Sequence, residues 1–152
     1  MLQTLPFAAL LLSVAAFPAQ PEDWQAVSVR EGRAVFLVDL HSISGDQHGT
    51  RSGIVLTVFS EASEAVPGQA ALRTRYFVDC TAPRIRMGPS TTYTLAGKTI
   101  VADNQTDDWE AAEAGSSFER VADAICGRTE KFERAFGPGL PIREVRAFLK
   151  AL

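Results

Sequence analysis

The chain has 152 residues, a formal charge of -3, 22% charged and 46% apolar residues, and two cysteines. These values describe one ordinary globular domain with enough apolar residues for a real core, which excludes a low-complexity or disordered chain. The slight negative charge gives no global attraction to nucleic acid.

Residues Leu5 to Phe17 form an uncharged apolar run with the length of a signal-peptide core, shorter than the roughly 20 apolar residues a membrane span needs. Val14-Ala15-Ala16 offers small side chains at a cleavage site, with Ala19 as a second choice because Phe17 is bulky. No Lys or Arg precedes the run, so the amino terminus carries the positive end or the true start lies upstream of Met1. Pro6, Pro18 and Pro21 fit a buried helix poorly. The expectation is a signal peptide over 1–19, cleaved after Ala16 or Ala19, and an exported domain over 20–152 without a transmembrane anchor. No cysteine follows the leader to carry a lipid.

Trp24 to Val29 and Ala34 to Asp39 are runs rich in β-formers around Arg30-Glu31-Gly32-Arg33, a hairpin pattern. A polar connection through His41, Ser42, Gly45 and Gly49 leads to Ser52 to Ser60, apolar enough on both faces for a central strand. After a loop over 61–68 with Pro67-Gly68, Gln69 to Cys80 alternates: Leu72, Thr74, Tyr76, Val78 and Cys80 share one face, Ala71, Arg73, Arg75, Phe77 and Asp79 the other. Arg84 to Met87 and Thr91 to Leu95 form the next strand, interrupted by a bulge at Gly88-Pro89, and a hairpin at Ala96-Gly97 gives Lys98 to Ala102.

The period then changes from two to 3.6. Ser116-Ser117-Phe118-Glu119 has the form of a capping box, and Phe118, Val121, Ala122, Ile125 and Cys126 make one apolar stripe ended by Gly127. Two isolated thiols in an exported chain read as one disulfide, so Cys80 and Cys126 should tie sheet to helix. Closing that loop stabilises the fold by roughly 4 kcal/mol in the chain-entropy account. Helical segments are expected over 129–136, with Phe132 and Phe136 on one side, and over 141–152, with Pro141 first and Ile142, Val145, Phe148, Leu149 and Leu152 inward. The residues thus predict an α+β domain: about six antiparallel strands with the helix and the extra C-terminal helical segments on one face, and one disulfide.

The spacing of Trp24, Gly32, Val35-Phe36-Leu37-Val38-Asp39, Ser42-Ile43, Val78-Asp79-Cys80, Arg84, Arg86, Tyr93, Trp109, Gly115-Ser116 and Ile125-Cys126 resembles the surface-adhesin E-like domain of Gram-negative bacteria. The resemblance runs from Trp24 to Gly127. It implies a leader, a six-stranded antiparallel sheet, a C-terminal helix on its concave face and a disulfide. It also implies a periplasmic, secreted or cell-surface location and an adhesin-like envelope role. It assigns no binding residue and leaves a C-terminal extension from 128.

No metalloprotease motif, P-loop, nucleophile elbow or Cys-x-x-Cys is present, and no enzyme activity or cofactor is expected. His41 and His48 would need further ligands for a metal, and exposed loop histidines are commoner. Asp103, Asn104, Asp107 and Asp108 lack EF-hand spacing and read as a solvated acidic turn. Ser116 is explained by its cap, with no base beside it. Trp24, Trp109 and Phe118 read as packing residues rather than a ligand cage.

The functional candidate is Arg73, Arg75, Arg84 and Arg86, which should form a basic stripe opposite the helix-covered face, with Asp79 the only counter-charge in the stretch. Such a stripe takes an acidic protein segment, a sulfated glycan or lipid headgroups. A plain solvated sheet face, with the arginine stems lying over Phe77, is the simpler account of the same residues. An alternative role of another class is a carrier holding a small apolar ligand in a cavity between sheet and helix.

Overall fold

The alternation of β-formers produces long strands with one antiparallel ladder after another. In the computed structural model, which describes residues 20–30, 33–61 and 66–152, these are β1 Trp24–Arg30, β2 Ala34–Gly45, β3 Thr50–Phe59, β4 Ala71–Asp79, β5 Arg84–Tyr93 and β6 Thr99–Asp103. They lie side by side in chain order as a meander. The expected leader and the Gly32 turn lie outside the described residues. The bulge falls where Gly88-Pro89 predicts it: Thr74 pairs with Ser90 but Tyr76 with Met87, which leaves β5 one residue longer there.

Strand β2 runs past the expected Asp39 to Gly45, its register with β3 slipping between Asp39 and Ser44. That irregularity holds the polar residues that read as a connection.

Helix α1, Ser117–Ile125, starts as its sequence dictates. The Ser116 hydroxyl accepts from the Glu119 N–H at 3.1 Å, and the Glu119 carboxylate accepts from the Gly115 N–H at 2.6 Å. Gly127, at φ 72°, ends it: the Gly127 and Arg128 N–H groups bond back to Ala124 and Asp123. Val121, Ala122, Ile125 and Cys126 pack on Val38, Val55, Tyr76, Val78 and Ile85 of the sheet's first face. Gly53 lies beneath the helix; a Cβ there would sit 3.1 Å from Ile125 Cγ1, so the small residue sets how closely α1 docks. The Cys80–Cys126 disulfide closes the same interface, with Cα atoms 5.7 Å apart.

The C-terminal extension departs from expectation in three ways. Residues 129–136 are not helical: Arg134–Phe136 form a strand that pairs antiparallel with β1, Trp24 opposite Phe136. An outer strand on β1 satisfies backbone groups that an edge would leave free. Together with the two-residue strand Glu110–Ala111 on β5, the described sheet has eight strands rather than six. In chain order Glu110–Ala111 is β7 and Arg134–Phe136 is β8.

The second departure is the position of the last helix, α2, Ile142–Lys150, which packs on the opposite face from α1, not on the same one. Ile142, Val145 and Leu149 cover Leu37, Leu56 and Val58, all fully buried. Because β2 and β3 are apolar on both faces, one helix cannot keep both from water, and the sheet lies between two helices. The third is Leu152, expected inward but 72% exposed beyond the helix end. Pro141 serves as the residue before the first turn rather than within it.

Candidate functional site

Strand register places all four arginines on the second face, the one that carries α2. Arg73 lies opposite Leu56 and Thr91, Arg75 opposite Ile54, Arg86 opposite Phe77, and Arg84 opposite Asp79. Moving along the strands away from α2, this face changes from Leu37, Leu56 and Val58 to Ser52, Arg75, Phe77, Asp79, Arg84 and Arg86. The expectation of a stripe opposite the helix-covered face therefore holds only with respect to α1. Arg84 and Arg86 lie toward the end of the second face away from α2, whereas Arg75 beside Ile54 and Arg73 beside Leu56 border the apolar patch.

The four side chains divide into two pairs. Arg84 Nη2 lies 2.8 Å from Asp79 Oδ2. That guanidinium, with the Thr81 hydroxyl and N–H, holds the Asp79 carboxyl well below the usual carboxylate range. Arg86 lies against two rings, its guanidinium carbon 5.0 Å from the Phe77 centroid and 4.7 Å from that of Trp109, while Arg84 approaches Trp109 at 5.6 Å. Gly88 admits the Phe77 ring, since a Cβ there would come within 2.7 Å of Phe77 Cε2. Arg86 thus lies over Phe77 as the simpler account supposes.

Arg73 and Arg75 make no ion pair among the described residues. The Arg75 Nη1 donates to Ser52 Oγ at 3.3 Å. Both border a cleft of about 220 Å³ whose other wall is Pro89, Thr91 and Asn104.

Trp109 belongs with this site, although the sequence reads as packing there. It precedes the two-residue β7, too short for any periodicity, and only a lone aromatic within Asp107-Asp108-Trp109-Glu110 marks it. Trp24 is core, fully buried, its Nε1 donating to the Gly139 carbonyl at 2.6 Å. Phe118 packs between Phe36 and Tyr76.

The other candidates are explained by local structure. His41 Nδ1 contacts the Pro21 carbonyl at 2.6 Å, and the His48 N–H donates to the Asp46 carboxylate. The Asp103 carboxylate accepts from the Gln105 N–H. Asp107 stands near Tyr76 and, after burial itself, helps push that phenol's pKa up. Among the described residues no three His, Cys, Asp or Glu side chains gather to hold a metal ion, and no helix is long and apolar enough to cross a membrane.

Fold and surface together define an antiparallel-sheet domain with a disulfide-anchored helix and a basic half-face. The chain belongs to the family of surface-adhesin protein E, whose model matches residues 24–127. The resemblance seen in the sequence is to this same family. The membership carries a surface-adhesin-like role and points to a non-enzymatic function and an exported or cell-surface location. No curated protein matches the chain. The matched span stops at Gly127, so β8 and α2 lie outside the matched region.

Proposed function

We propose that the protein is an exported, non-enzymatic binding module of the bacterial envelope. It holds an anionic partner, an acidic protein segment or a glycan, through the basic half of the second sheet face. The observation that carries this reading is the gathering of four arginines on one sheet face, where Arg84 is paired with Asp79 while the half-buried Arg73 and Arg75 have no ion partner among the described residues. Cations held on a rigid sheet add together in the field an approaching anion meets, although each contributes little to folding.

The carrier reading has less support. The gap where Phe118 of α1 meets Tyr76, Ile85 and Met87, bordered also by Arg86, Asp107, Asp108 and Glu110, is about 10 Å³, too small for a ligand. A larger hollow of about 550 Å³ lies at the start of α1 beside Ser28, Arg30 and Phe118, at the rim rather than inside the core.

Retention on heparin and on polyglutamate at two salt concentrations tests the proposal. Binding should weaken with salt and fall when Arg73, Arg75, Arg84 and Arg86 are all replaced by Gln. Binding unaffected by both changes would place the partner elsewhere on the molecule.

A further inference from the structure

We infer that the anion-binding centre of this face is the cleft between Arg73 and Arg75, and that it takes a tetrahedral monoester, sulfate or phosphate, carried on a sugar. The inference rests on the basic-face reading and narrows it.

The cleft is a consequence of the β5 bulge. In a regular ladder Arg75 would face a β5 side chain, but the register passes from Thr74–Ser90 to Tyr76–Met87 and leaves Arg75 without a partner on that strand. The extra residue carries Pro89 outward, and the space that a cross-strand neighbour would fill is open. Arg84 and Arg86 do not compete for this role, because one is paired with Asp79 and the other is laid against Phe77 and Trp109.

The donor set selects the ligand. Arg73 and Arg75 are two apart on one strand and one face, so their Cα atoms stand about 7 Å apart, a spacing at which two guanidinium forks can close over one group. A planar carboxylate satisfies one fork with its two oxygens. A sulfate or phosphate monoester presents three terminal oxygens and can meet both forks together with the Thr91 hydroxyl and the Asn104 amide. No carboxylate lines the cleft: by register Asp103 sits opposite Ser90, on the face of Thr74 rather than of Arg73. Ile54 and Pro89 supply apolar wall for a sugar ring, and a volume of about 220 Å³ is below that of drug-sized sites. One monoester and the ring that bears it fill it.

Titration calorimetry of the exported, oxidised chain with glucosamine 6-sulfate and with glucose 6-phosphate tests this, with acetate as the planar control. At least one monoester should bind and acetate should not. Arg73→Gln and Arg75→Gln should each weaken binding about tenfold, the loss of one charge-assisted pair. Arg84→Gln should leave it within about twofold, and Thr91→Val should weaken it less than either arginine change. The ester that binds more tightly in an Arg73-dependent manner identifies the source. Absence of binding by both esters, or affinity indifferent to Arg73→Gln and Arg75→Gln, overturns the inference. Heparin retention that depends on Arg84 and Arg86 alone overturns the cleft but leaves the basic-face reading intact. Monoester binding without heparin or polyglutamate retention supports the cleft and defeats the broader reading.

Discussion

Tyr76 shows how a single buried group couples this core to pH. It is 3% exposed, and burial, with the Asp107 charge second, raises its pKa above the ordinary value of about 10. Above that pH the unfolded chain releases the phenolic proton while the folded chain keeps it, so the unfolded state binds fewer protons and stability falls with rising pH. Below it both states are protonated and Tyr76 contributes no pH dependence. Denaturant midpoints at pH 9, 10 and 11 should therefore drop across the last two, and phenolate absorbance from Tyr76 should appear only with unfolding. Gly88 gives a second residue-level test. Gly88→Ala forces its Cβ into the Phe77 ring, which must move from beneath Arg86; a loss of about 1 to 3 kcal/mol is expected in denaturant melts.

At the scale of elements, α1 is the piece most fully specified by its own residues. Its cap, apolar stripe and terminal glycine agree, and each is seen in the bonds it predicts. Ser116→Ala removes the acceptor for the Glu119 N–H and should cost about 1 kcal/mol, measurable as a shifted denaturant midpoint with an unchanged slope. The bulge and the alternation of β4 are legible for the same reason: Gly88-Pro89 breaks the ladder by its own backbone chemistry, and period two follows from the pleat. Strand β8 is not legible. Phe132 and Phe136 are spaced as on one helix face, yet Phe132 joins the cluster under α1 and Phe136 the one under α2. What decides this is the open edge of β1, a tertiary demand that no local window contains. The side taken by α2 is hidden for a related reason, since its stripe of Ile142, Val145 and Leu149 says that it docks but not against which face. The split of the arginines into paired and unpaired is likewise invisible, because it depends on Asp79, Trp109 and the bulge meeting across three strands.

For the molecule as a whole, the two faces of the sheet are secured by different means, and their failures should differ. On the first face a covalent bond and a packed helix act together. Replacing Cys80 and Cys126 by Ala should lower stability by about 2 to 5 kcal/mol while circular dichroism at low denaturant stays native, because Val121 and Ile125 remain buried. On the second face nothing covalent holds α2; it rests on Ile142, Val145 and Leu149 and on the Arg146 Nε donating to the Phe59 carbonyl at 2.8 Å, while the Trp24–Gly139 hydrogen bond at 2.6 Å ties down the segment before it. Val145 is fully buried at the centre of that contact. Val145→Asp places a carboxylate there without a partner, a loss of about 3 kcal/mol or more. If α2 separates from a sheet that stays folded, Leu37, Leu56 and Val58 become an exposed apolar patch on the matched part of the chain, and hydrophobic dye should bind in the absence of denaturant. The disulfide variant should bind no such dye under the same conditions. Equal dye binding by the two variants would mean that the faces are one cooperative unit, and that the C-terminal segment is as integral to the fold as α1.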